Sequence, residues 1–343
     1  MTRWAVVLAG GVGSRFWPLS TPERPKQLLP LVDDAPLLRN TLDRLAPLVP
    51  AAHTLLLTNA GLVAPIGALA PELPKENIIA EPRPAGTAAA LAFAAAEIER
   101  RSGRDATMIC VHADWSVGNP EEFRRRLAEA ASLAEKHAAL VTVGIVPTRP
   151  DPGFGYIQPG EIVEGDARRV ARFVEKPSRD VATRMVRDGY LWNSGIFVWR
   201  AGDFLDEVRA HTPEVAPALA AGGNIEAFFT AAKSISVDVG VLERSNRVMV
   251  LPGDFAWDDV GTWASLHRVR ERDGAENALA GSAHAVESRG NVVHAEYGQV
   301  VLYGVSDLVV ITQDGLTVVT TMDRAADLKK LVEALPAEVR ARR

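Results

Sequence analysis

The segment WAVVLAGGVGSRFWPLSTPERPKQLLPL at residues 4–31 decides the fold and most of the chemistry that the sequence predicts. It opens with a short apolar, β-branched run at residues 5–9, which indicates a buried strand of a parallel sheet. Three glycines follow at once: Gly10, Gly11 and Gly13. A loop with so few side chains lets backbone N–H groups approach a polyanion closely. With Arg15 in the loop and Lys26 shortly after it, the segment suits a bound triphosphate.

The glycine loop alone does not fix the ligand. A dinucleotide fingerprint would need a third glycine where Phe16 stands, which argues against an NAD-dependent oxidoreductase. A Walker loop would need Gly-Lys-Ser/Thr, which this segment lacks. A tight turn between a strand and a loop, with solvated charges, is the purely structural alternative.

Composition limits the classes of protein that the chain can belong to. Its 343 residues, 47% hydrophobic and 24% charged, are typical of a soluble globular protein with one large or two ordinary domains. The net charge of -5 provides no polybasic face, so we expect neither nucleic acid nor a membrane as partner. Cys110 is the single cysteine, which excludes an internal disulfide and fits a reducing, cytoplasmic compartment. The apolar stretch at the N-terminus is too short for a signal peptide, and residues 88–96 are only half a membrane span.

Strands and helices alternate, which predicts an α/β fold with a Rossmann-like, doubly wound, mixed but mostly parallel sheet. The predicted strands are residues 5–9, 53–58, 77–80, 106–111, 140–146, 170–174, 196–199 and 248–251. The predicted helices are residues 36–48, 59–70, 86–101, 120–137, 178–187, 202–211, 262–270 and 323–335. From about residue 282, short apolar runs are split by Gly and Asp-Gly, which predicts a β-rich module. We therefore expect a catalytic domain at 1–280 and a β-rich C-terminal module with a terminal helix at 281–343.

Two acidic segments carry candidate metal-binding carboxylates. Asp114 comes just after the strand at 106–111, where a carboxylate would face the crevice beyond the sheet. Asp258 and Asp259 are adjacent, an unfavourable arrangement unless a cation or separate partners hold them. Two separated aspartates on one Mg²⁺ would neutralise a triphosphate, because Mg²⁺ prefers few carboxylates and completes its shell with phosphate oxygens. A turn-capping role is the alternative for Asp114, and the histidines show no zinc spacing.

Five further segments contain candidate binding residues. Glu81, Pro82, Gly86 and Thr87 precede an Ala-rich helix whose free N–H groups can face a ligand, although a simple capped helix would look the same. The other candidates are Gly155, Glu175 with Lys176, Asn193 and Asp238. Each is also common in ordinary structure, and an adjacent Glu-Lys pair is usually a solvated surface pair.

Taken together, the strings LAGGVGSRFWPLS at 8–20 and RPKQLLPL at 24–31 resemble the signature of the sugar-1-phosphate nucleotidyltransferases. FWPLS and PKQ look most like the mannose-1-phosphate guanylyltransferase branch, and the resemblance covers essentially the whole chain. It implies a fold of the nucleotide-diphospho-sugar transferase type, Mg²⁺ as cofactor, and GTP and α-D-mannose 1-phosphate as substrates. The implied reaction transfers GMP from GTP to the sugar phosphate and gives GDP-mannose and pyrophosphate. A homodimer is implied by analogy alone.

The resemblance also implies roles for individual residues. The implied catalytic residues are Arg15, Lys26 and Lys176. The implied nucleotide-binding residues are Leu8, Ala9, Gly10, Gly11, Gly13, Glu81, Pro82, Gly86 and Thr87. The implied sugar-binding residues are Asp114, Gly155, Glu175, Asn193 and Asp238. The implied metal ligands are Asp114 and Asp259, with Asp258 open as the alternative to Asp259; otherwise Asp258 would orient a neighbour or cap the helix that begins near Gly261.

The sequence departs from the family pattern at several positions. Ala85 and Gly86 replace an Arg and an Asn of the base-recognising segment, which weakens the expectation of guanine. His112 and Trp115 depart from the pattern around Asp114. Two alternatives therefore stay open: a hexose-1-phosphate nucleotidyltransferase with another base or sugar, and a non-catalytic subunit that senses nucleotide sugars. The presence of both cations and both aspartates speaks against the sensor.

Overall fold

The computed structural model describes residues 1–11 and 13–340, and these residues form two compact units. Unit 1 consists of Met1–Gly10, Leu42–Ala113 and Asn119–Phe255. Unit 2 consists of Gly11–Thr41, Asp114–Gly118 and the chain from Ala256 to the last described residue. Each unit is thus assembled from three separate segments. The domain boundary predicted at residue 280 divides the sequence into two consecutive regions, whereas each unit is discontinuous. That boundary stays a prediction.

The described residues contain fifteen strands and ten helices. The strands are β1 Arg3–Leu8, β2 Thr54–Asn59, β3 Ile78–Glu81, β4 Thr107–His112, β5 Ser116–Val117, β6 Leu140–Ile145, β7 Tyr156–Glu164, β8 Ala167–Val174, β9 Leu191–Arg200, β10 Val248–Gly253, β11 Trp257–Asp258, β12 Ala278–Val286, β13 Val292–Tyr303, β14 Leu308–Gln313 and β15 Leu316–Thr321. The helices are α1 Leu37–Leu45, α2 Val63–Leu69, α3 Gly86–Ser102, α4 Pro120–His137, α5 Arg179–Arg187, α6 Ala201–His211, α7 Ile225–Ala231, α8 Trp263–Val269, α9 Leu328–Ala334 and α10 Ala337–Arg340. None of these helices is long and apolar enough to span a membrane.

Unit 1 is built on one nine-stranded sheet with the order β3-β2-β1-β4-β9-β6-β10-β8-β7. Strand β1 lies between β2 and β4 and runs parallel to both. Strand β9 runs antiparallel to both of its neighbours, β4 and β6, so it reverses direction in the middle of the sheet. The predicted mixed α/β sheet is confirmed, and the carboxyl ends of β1 and β4 lead into the first two candidate segments.

Helices cover the sheet of unit 1 in two separate layers. Helices α3, α6 and α7 pack side chains such as Phe93, Phe204 and Phe229 into one apolar cluster with residues of β1, β2, β4 and β9. Six of the seven alanines of α3 are buried in this cluster, since small side chains allow a helix to pack closely on a sheet. Helix α4 packs against β4, β6, β9 and β10 with buried residues that do not belong to the cluster.

Most predicted elements of unit 1 agree with the structure within a few residues, and α4 has the predicted bounds. The helix predicted at 59–70 is instead a 3₁₀ turn at Ala60–Leu62 followed by α2. Strand β9 begins at Leu191, five residues before its predicted start, so Asn193 lies within the strand rather than before it. Strand β7 was not predicted, because Pro159 and Gly160 interrupt its pattern.

Unit 2 has its own apolar core, in which residues after the glycine loop pack on the C-terminal module. Phe16 is fully buried with its ring centroid 5.3 Å from that of Trp263, and Val292 and Val309 belong to the same cluster. Strands β12, β13 and β14 pair in parallel, and β15 returns antiparallel to β14. Asp314 and Gly315, with φ of 46° and 76°, form the tight turn of that hairpin.

Buried asparagines join successive strands of this C-terminal sheet. Asn277 and Asn291 precede β12 and β13, and the side chain of Asn291 donates to Asn277 Oδ1 at 2.8 Å. Asn291 Oδ1 in turn accepts from the N–H of Leu308 at 2.9 Å, at the start of β14. The β-rich module is confirmed: its first three strands pair in parallel, and the Asp-Gly turn joins β14 to β15. The helix predicted at 323–335 begins as a 3₁₀ turn at Met322–Asp327 and continues as α9.

Candidate active site

The two residues that precede the glycine loop, Leu8 and Ala9, are hydrogen-bonded within unit 1. Ala9 N–H donates to Leu57 O at 2.8 Å, and Leu8 O accepts from Ala113 N–H at 3.0 Å. These main-chain groups of two implied nucleotide-binding residues are therefore engaged by the protein. Gly10 and Gly11 are exposed, and no atom of the described residues lies within 4 Å of a Cβ built on either one. The loop backbone is thus open to a ligand at these two glycines.

Further along the loop, Gly13 is pressed against Lys26. Gly13 has a φ of 69°, and a Cβ on it would lie 2.3 Å from Lys26 Cβ. The hydroxyl of Ser20 donates to Gly13 O at 2.7 Å and fixes the turn. Arg15, in the 3₁₀ turn Ser14–Phe16, is exposed. The structure therefore holds the stem of Lys26 by contact with the loop and leaves Arg15 accessible to a ligand.

Lys26 joins the two acidic segments of unit 2. Its side chain is buried, and its ammonium lies 3.0 Å from Asp114 Oδ2 and donates to the backbone carbonyl of Asp259 at 2.7 Å. The short antiparallel pair β5–β11 holds the two segments side by side, since Ser116 pairs with Asp258. A cation and two carboxylates from distant parts of the sequence thus come together within one unit.

The departure of Trp115 from the family pattern has a structural counterpart. Its ring packs edge-to-face on the ring of Trp257, with centroids 5.8 Å apart and planes at 71°. Such aromatic pairs contribute roughly 0.5–1.5 kcal/mol beyond the area that they bury. Trp115 directly precedes β5 and Trp257 lies in β11, so their contact supports the position of Asp114.

The two adjacent aspartates have different surroundings. Asp258 is buried, its Oδ1 accepts from Val260 N–H at 2.9 Å, and its Oδ2 is 2.8 Å from Arg268 Nη2. Asp259 has its Oδ1 3.1 Å from Gly261 N–H, and no carboxylate–arginine bond to it is seen in the described residues. Asp258 therefore holds α8 through Arg268. It does not cap that helix, because Thr262 does so with Ser265 in a capping box.

The electrostatics of Asp259 favour a bound cation. Burial raises the pKa of its carboxyl, the charge of Asp258 raises this pKa further, and Lys26 and Arg15 lower it. Among residues 1–11 and 13–340 no group of three or more His, Cys, Asp or Glu side chains could hold a metal ion. A Mg²⁺ that takes most of its ligands from phosphate oxygens needs fewer protein carboxylates than that. Asp114 and Asp259 fit such an ion, because both are hard oxygen donors and a cation would stabilise the charge of the partly buried Asp259.

In unit 1, the implied sugar-binding residues converge on β9. Asn193 Nδ2 donates to Asp238 Oδ1 at 2.7 Å, and Asn193 N–H donates to Gly155 O at 2.8 Å. A Cβ on Gly155 would lie 2.7 Å from Glu175 Oε2, so the absent side chain leaves room for this carboxylate. The structure therefore brings together four residues that lie far apart in the sequence: Gly155, Glu175, Asn193 and Asp238.

Charges around Asp238 oppose one another. Burial raises the pKa of the Asp238 carboxyl, the hydrogen bond from Asn193 lowers it, Glu175 raises it and His112 lowers it. A carboxylate and an amide held side by side provide the acceptors and donors that sugar hydroxyls require. In the sequence, His112 stands out only as a departure from the family pattern. Its proximity to Asp238 is not evident from the sequence.

Glu175 and Lys176 form the surface pair that their adjacency indicated. Lys176 Nζ donates to Glu175 Oε1 at 2.6 Å, and the two side chains are 65% and 53% exposed. Lys176 has a φ of 42°, in the left-handed region that non-glycine residues seldom adopt. Such strain tends to occur where a side chain must point in a defined direction. Both charged ends remain accessible to a ligand.

Glu81 ends β3 and leads into the segment before α3. Burial raises the pKa of its carboxyl from 4.5 to about 7. Glu81 is therefore partly ionised near neutral pH and can accept hydrogen bonds from the edge of a base. Pro82, which follows it, is exposed.

The start of α3 is less open than a free helix terminus. Ala88 N–H donates to Ile235 O at 3.2 Å, and Thr87 Oγ1 accepts from Val237 N–H at 2.9 Å. One of the first N–H groups of α3 is therefore taken by the protein rather than left for a ligand, contrary to the expectation from the sequence. No sequence signal connects residues 85–88 with residues 235–237, which lie 150 positions apart.

Comparisons with known proteins agree with this arrangement. A family model described as nucleotidyl transferase matches residues 4–276, and one described as a mannose-phosphate isomerase/GMP-like β-helix domain matches residues 281–335. The mannose-1-phosphate guanylyltransferases of Salmonella muenchen and Escherichia coli K12 are 35% and 36% identical, each over 98% of this chain and 74% of the relative. The chain belongs to the mannose-1-phosphate guanylyltransferase family of nucleotidyl transferases.

Solved structures share the fold, and one of them supports the same assignment. A Thermus thermophilus structure, titled a mannose-1-phosphate geranyltransferase, matches with a TM-score of 0.90 and 38% identity over 97% of this chain and 99% of its own. A Helicobacter pylori structure titled a mannose-6-phosphate isomerase shares the fold, with a TM-score of 0.62 and 24% identity over 75% of this chain and 100% of its own. The family resemblance and the enzyme class predicted from the sequence are confirmed.

Proposed function

We propose that this nucleotidyltransferase transfers GMP from GTP to α-D-mannose 1-phosphate and releases GDP-mannose and pyrophosphate. The choice of guanine and mannose rests on the names of relatives that match 98% of the chain. The observation that carries the chemistry is the contact of the buried Lys26 ammonium with Asp114 Oδ2 at 3.0 Å and with Asp259 O at 2.7 Å. A cation fixed between two acidic segments, just after an open glycine loop, suits the binding of a triphosphate.

The reaction requires little covalent work from the protein. A phosphate oxygen of mannose 1-phosphate attacks the α-phosphorus of GTP in line, and a new P–O bond forms. The bond between the α-phosphorus and the bridging oxygen breaks, and pyrophosphate leaves with the electron pair. The nucleophile is already an anion, so catalysis consists of positioning and charge neutralisation.

The roles of the cations follow from their surroundings. Arg15 is exposed and Lys26 is fixed by Gly13 and by its acidic partners, so Lys26 serves as the rigid contact to the triphosphate and Arg15 as the mobile one. Both charges stabilise the pyrophosphate as negative charge develops on it. Lys176, whose ammonium is exposed, binds the phosphate of the sugar and reduces the repulsion between the two anionic substrates.

Asp114 and Asp259 would hold Mg²⁺, which when bound neutralises phosphate charge and orients the α-phosphorus. In unit 1, Asn193 and Asp238 bind sugar hydroxyls through their paired amide and carboxylate, and Glu175 adds a further acceptor. Glu81 accepts from the N–H groups on the edge of guanine, and the open backbone of Gly10 and Gly11 lies along the nucleotide. We also propose that the protein acts in the cytoplasm, as its single cysteine indicates, and that it forms a homodimer by analogy with the family.

The test is pyrophosphate release from GTP, ATP, UTP and dTTP, each with mannose 1-phosphate and with glucose 1-phosphate, with and without Mg²⁺. The expected result is Mg²⁺-dependent release with GTP and mannose 1-phosphate at a rate well above that of every other pair. A preference for another pair would keep the mechanism and change the substrates. No release from any pair, in protein shown to be folded by circular dichroism, would favour the nucleotide-sugar sensor.

A further inference from the structure

The N-terminus of α3 is fastened to a distant segment of unit 1. Three hydrogen bonds join residues 85–88 to residues 235–237: Ile235 N–H to Ala85 O at 3.4 Å, Ala88 N–H to Ile235 O at 3.2 Å, and Val237 N–H to Thr87 Oγ1 at 2.9 Å. We call this set of contacts the clasp. It replaces the side-chain cap that α3 lacks, since its N-cap residue is Ala85.

Gly86 allows the two segments of the clasp to approach each other. It has a φ of 78°, and a Cβ on it would lie 2.3 Å from Ile235 O and 2.7 Å from Ile235 C. Both atoms are backbone atoms and cannot rotate away. Residues other than glycine would therefore separate the segments, and the residue at position 86 is constrained by this contact whatever base is bound.

The clasp ends immediately before the sugar-binding candidates. Val237, whose N–H is bound by Thr87, is followed by Asp238, and Asp238 Oδ1 accepts from Asn193 Nδ2 at 2.7 Å. Asp238 begins a π-helical turn, Asp238–Leu242, a geometry that is found frequently at functional sites. The side chain of Thr212 holds the same turn by donating to Gly240 O at 2.7 Å.

We propose that Gly86 and Thr87 are positioning residues for the sugar phosphate: they hold residues 235–237 so that Asp238 meets Asn193 in the orientation that binds the sugar. The inference rests on the proposed function, because it takes Asp238 as a sugar ligand. It replaces the nucleotide-binding role that the sequence resemblance implies for the side chain of Thr87, and for Gly86 it explains why no side chain is present. The hydroxyl oxygen of Thr87 is already used as an acceptor by Val237, and Gly86 is closed in by Ile235.

The experiment compares Thr87→Val, which removes the acceptor at nearly constant shape, with Thr87→Ser, which keeps it. We expect Thr87→Val to raise KM for mannose 1-phosphate about tenfold, the effect of one lost hydrogen bond to a buried N–H, with KM for GTP within about twofold of wild type. Thr87→Ser should restore most of the lost affinity. The matched control is Thr183→Val on the exposed face of α5, where the hydroxyl donates only to Arg179 O.

A double-mutant cycle with Asp238→Asn tests whether Thr87 acts through Asp238. If it does, Thr87→Val in the Asp238→Asn background should raise KM for the sugar phosphate by less than about twofold. Gly86→Ala should shift the same KM in the same direction. Thr87→Ala takes the place of Thr87→Val if thermal melting shows that the latter does not fold.

Each of four results would overturn the proposal: a rise in KM for GTP alone, an equal rise in both KM values, no change in either KM, or fully additive effects in the cycle. Wild-type turnover is measured first with GTP and mannose 1-phosphate. Failure of the wild type would refute the proposed function, whereas an active wild type with unshifted sugar KM in the variants would refute the clasp alone.

Discussion

A Cβ atom on Gly13 would lie 2.3 Å from the Cβ of Lys26, so the glycine loop and the buried lysine are in direct contact. Gly13→Ala is expected to displace the Lys26 ammonium from Asp114 and to lower turnover about 100-fold, the cost of a misplacement near 1 Å. Gly165→Ala is the matched control: its φ of 54° is also positive, but nothing in the described residues lies within 4 Å of its added Cβ. Equal turnover in the two variants, measured by pyrophosphate release, would show that the contact with Lys26 has no catalytic importance.

The charge of Lys26 can be removed without removing its stem. Lys26→Met is expected to lower kcat by about 10²–10³-fold, because it deletes a preorganised cation that faces developing negative charge. Lys136→Met is the control, since Lys136 pairs with Glu164 at 2.8 Å on the surface. Turnover is measured with circular dichroism as the check of folding, and a wild-type kcat in folded Lys26→Met would remove Lys26 from the mechanism.

The adjacent aspartates should separate stability from activity. Asp258→Asn weakens the ion pair with Arg268, which is 35% exposed, so we expect the free energy of unfolding to fall by about 1–3 kcal/mol. Asp259→Asn removes a partly buried carboxyl whose pKa is raised, so the variant should be as stable as the wild type but lose most turnover. Urea denaturation and turnover of both variants decide the matter. Loss of turnover in Asp258→Asn together with loss of stability in Asp259→Asn would exchange the roles of the two residues.

Glu81 predicts a pH dependence of nucleotide binding. Its pKa is raised from 4.5 to about 7, so the folded protein binds more protons than the unfolded chain in this interval, and the contribution of Glu81 to stability falls as pH rises from 4.5 to 7. Ionised Glu81 is the better acceptor for guanine, so the affinity for GTP should rise as pH increases through 7. Calorimetry from pH 6 to 8 measures this.

Glu81→Gln provides the control for that measurement. GTP itself takes up protons near neutral pH, and the variant shows how much of the pH dependence belongs to the nucleotide. We expect the difference between the two proteins to follow one titration near pH 7. Identical pH profiles would mean that Glu81 does not contact the base.

Local patterns in the sequence predict much of the fold. The apolar run of β1 and the amphipathic pattern of α4 depend on neighbouring residues, and both elements form close to where the patterns place them. The insertion of β9 between β4 and β6 depends on pairing between distant segments, which no local pattern encodes. The start of this strand was missed because Asn193, Ser194 and Gly195 interrupt its apolar pattern.

The candidate site shows the same limit. Residue type and position single out Lys26 and Asp114, the family resemblance singles out Asp259, and the structure places all three together in unit 2. In the sequence, Gly86 stands where the family pattern has a polar side chain. In the structure, its φ of 78° and its contact with Ile235 give it a steric role. The partner of that contact lies 150 residues away, so a single sequence gives no signal for it.

The three-segment construction of unit 2 has a consequence for the order in which the protein is made. Lys26 leaves the ribosome 233 residues before Asp259, the residue whose carbonyl it binds. At about 5–20 residues per second, this interval lasts roughly 12 to 47 seconds. Phe16 and Leu29 are part of the nascent chain for the same interval without the C-terminal side chains that bury them. Unit 2 can therefore complete its apolar core only after the segment from Ala256 onward has been synthesised, and the apolar side chains of its first segment lack these partners until then.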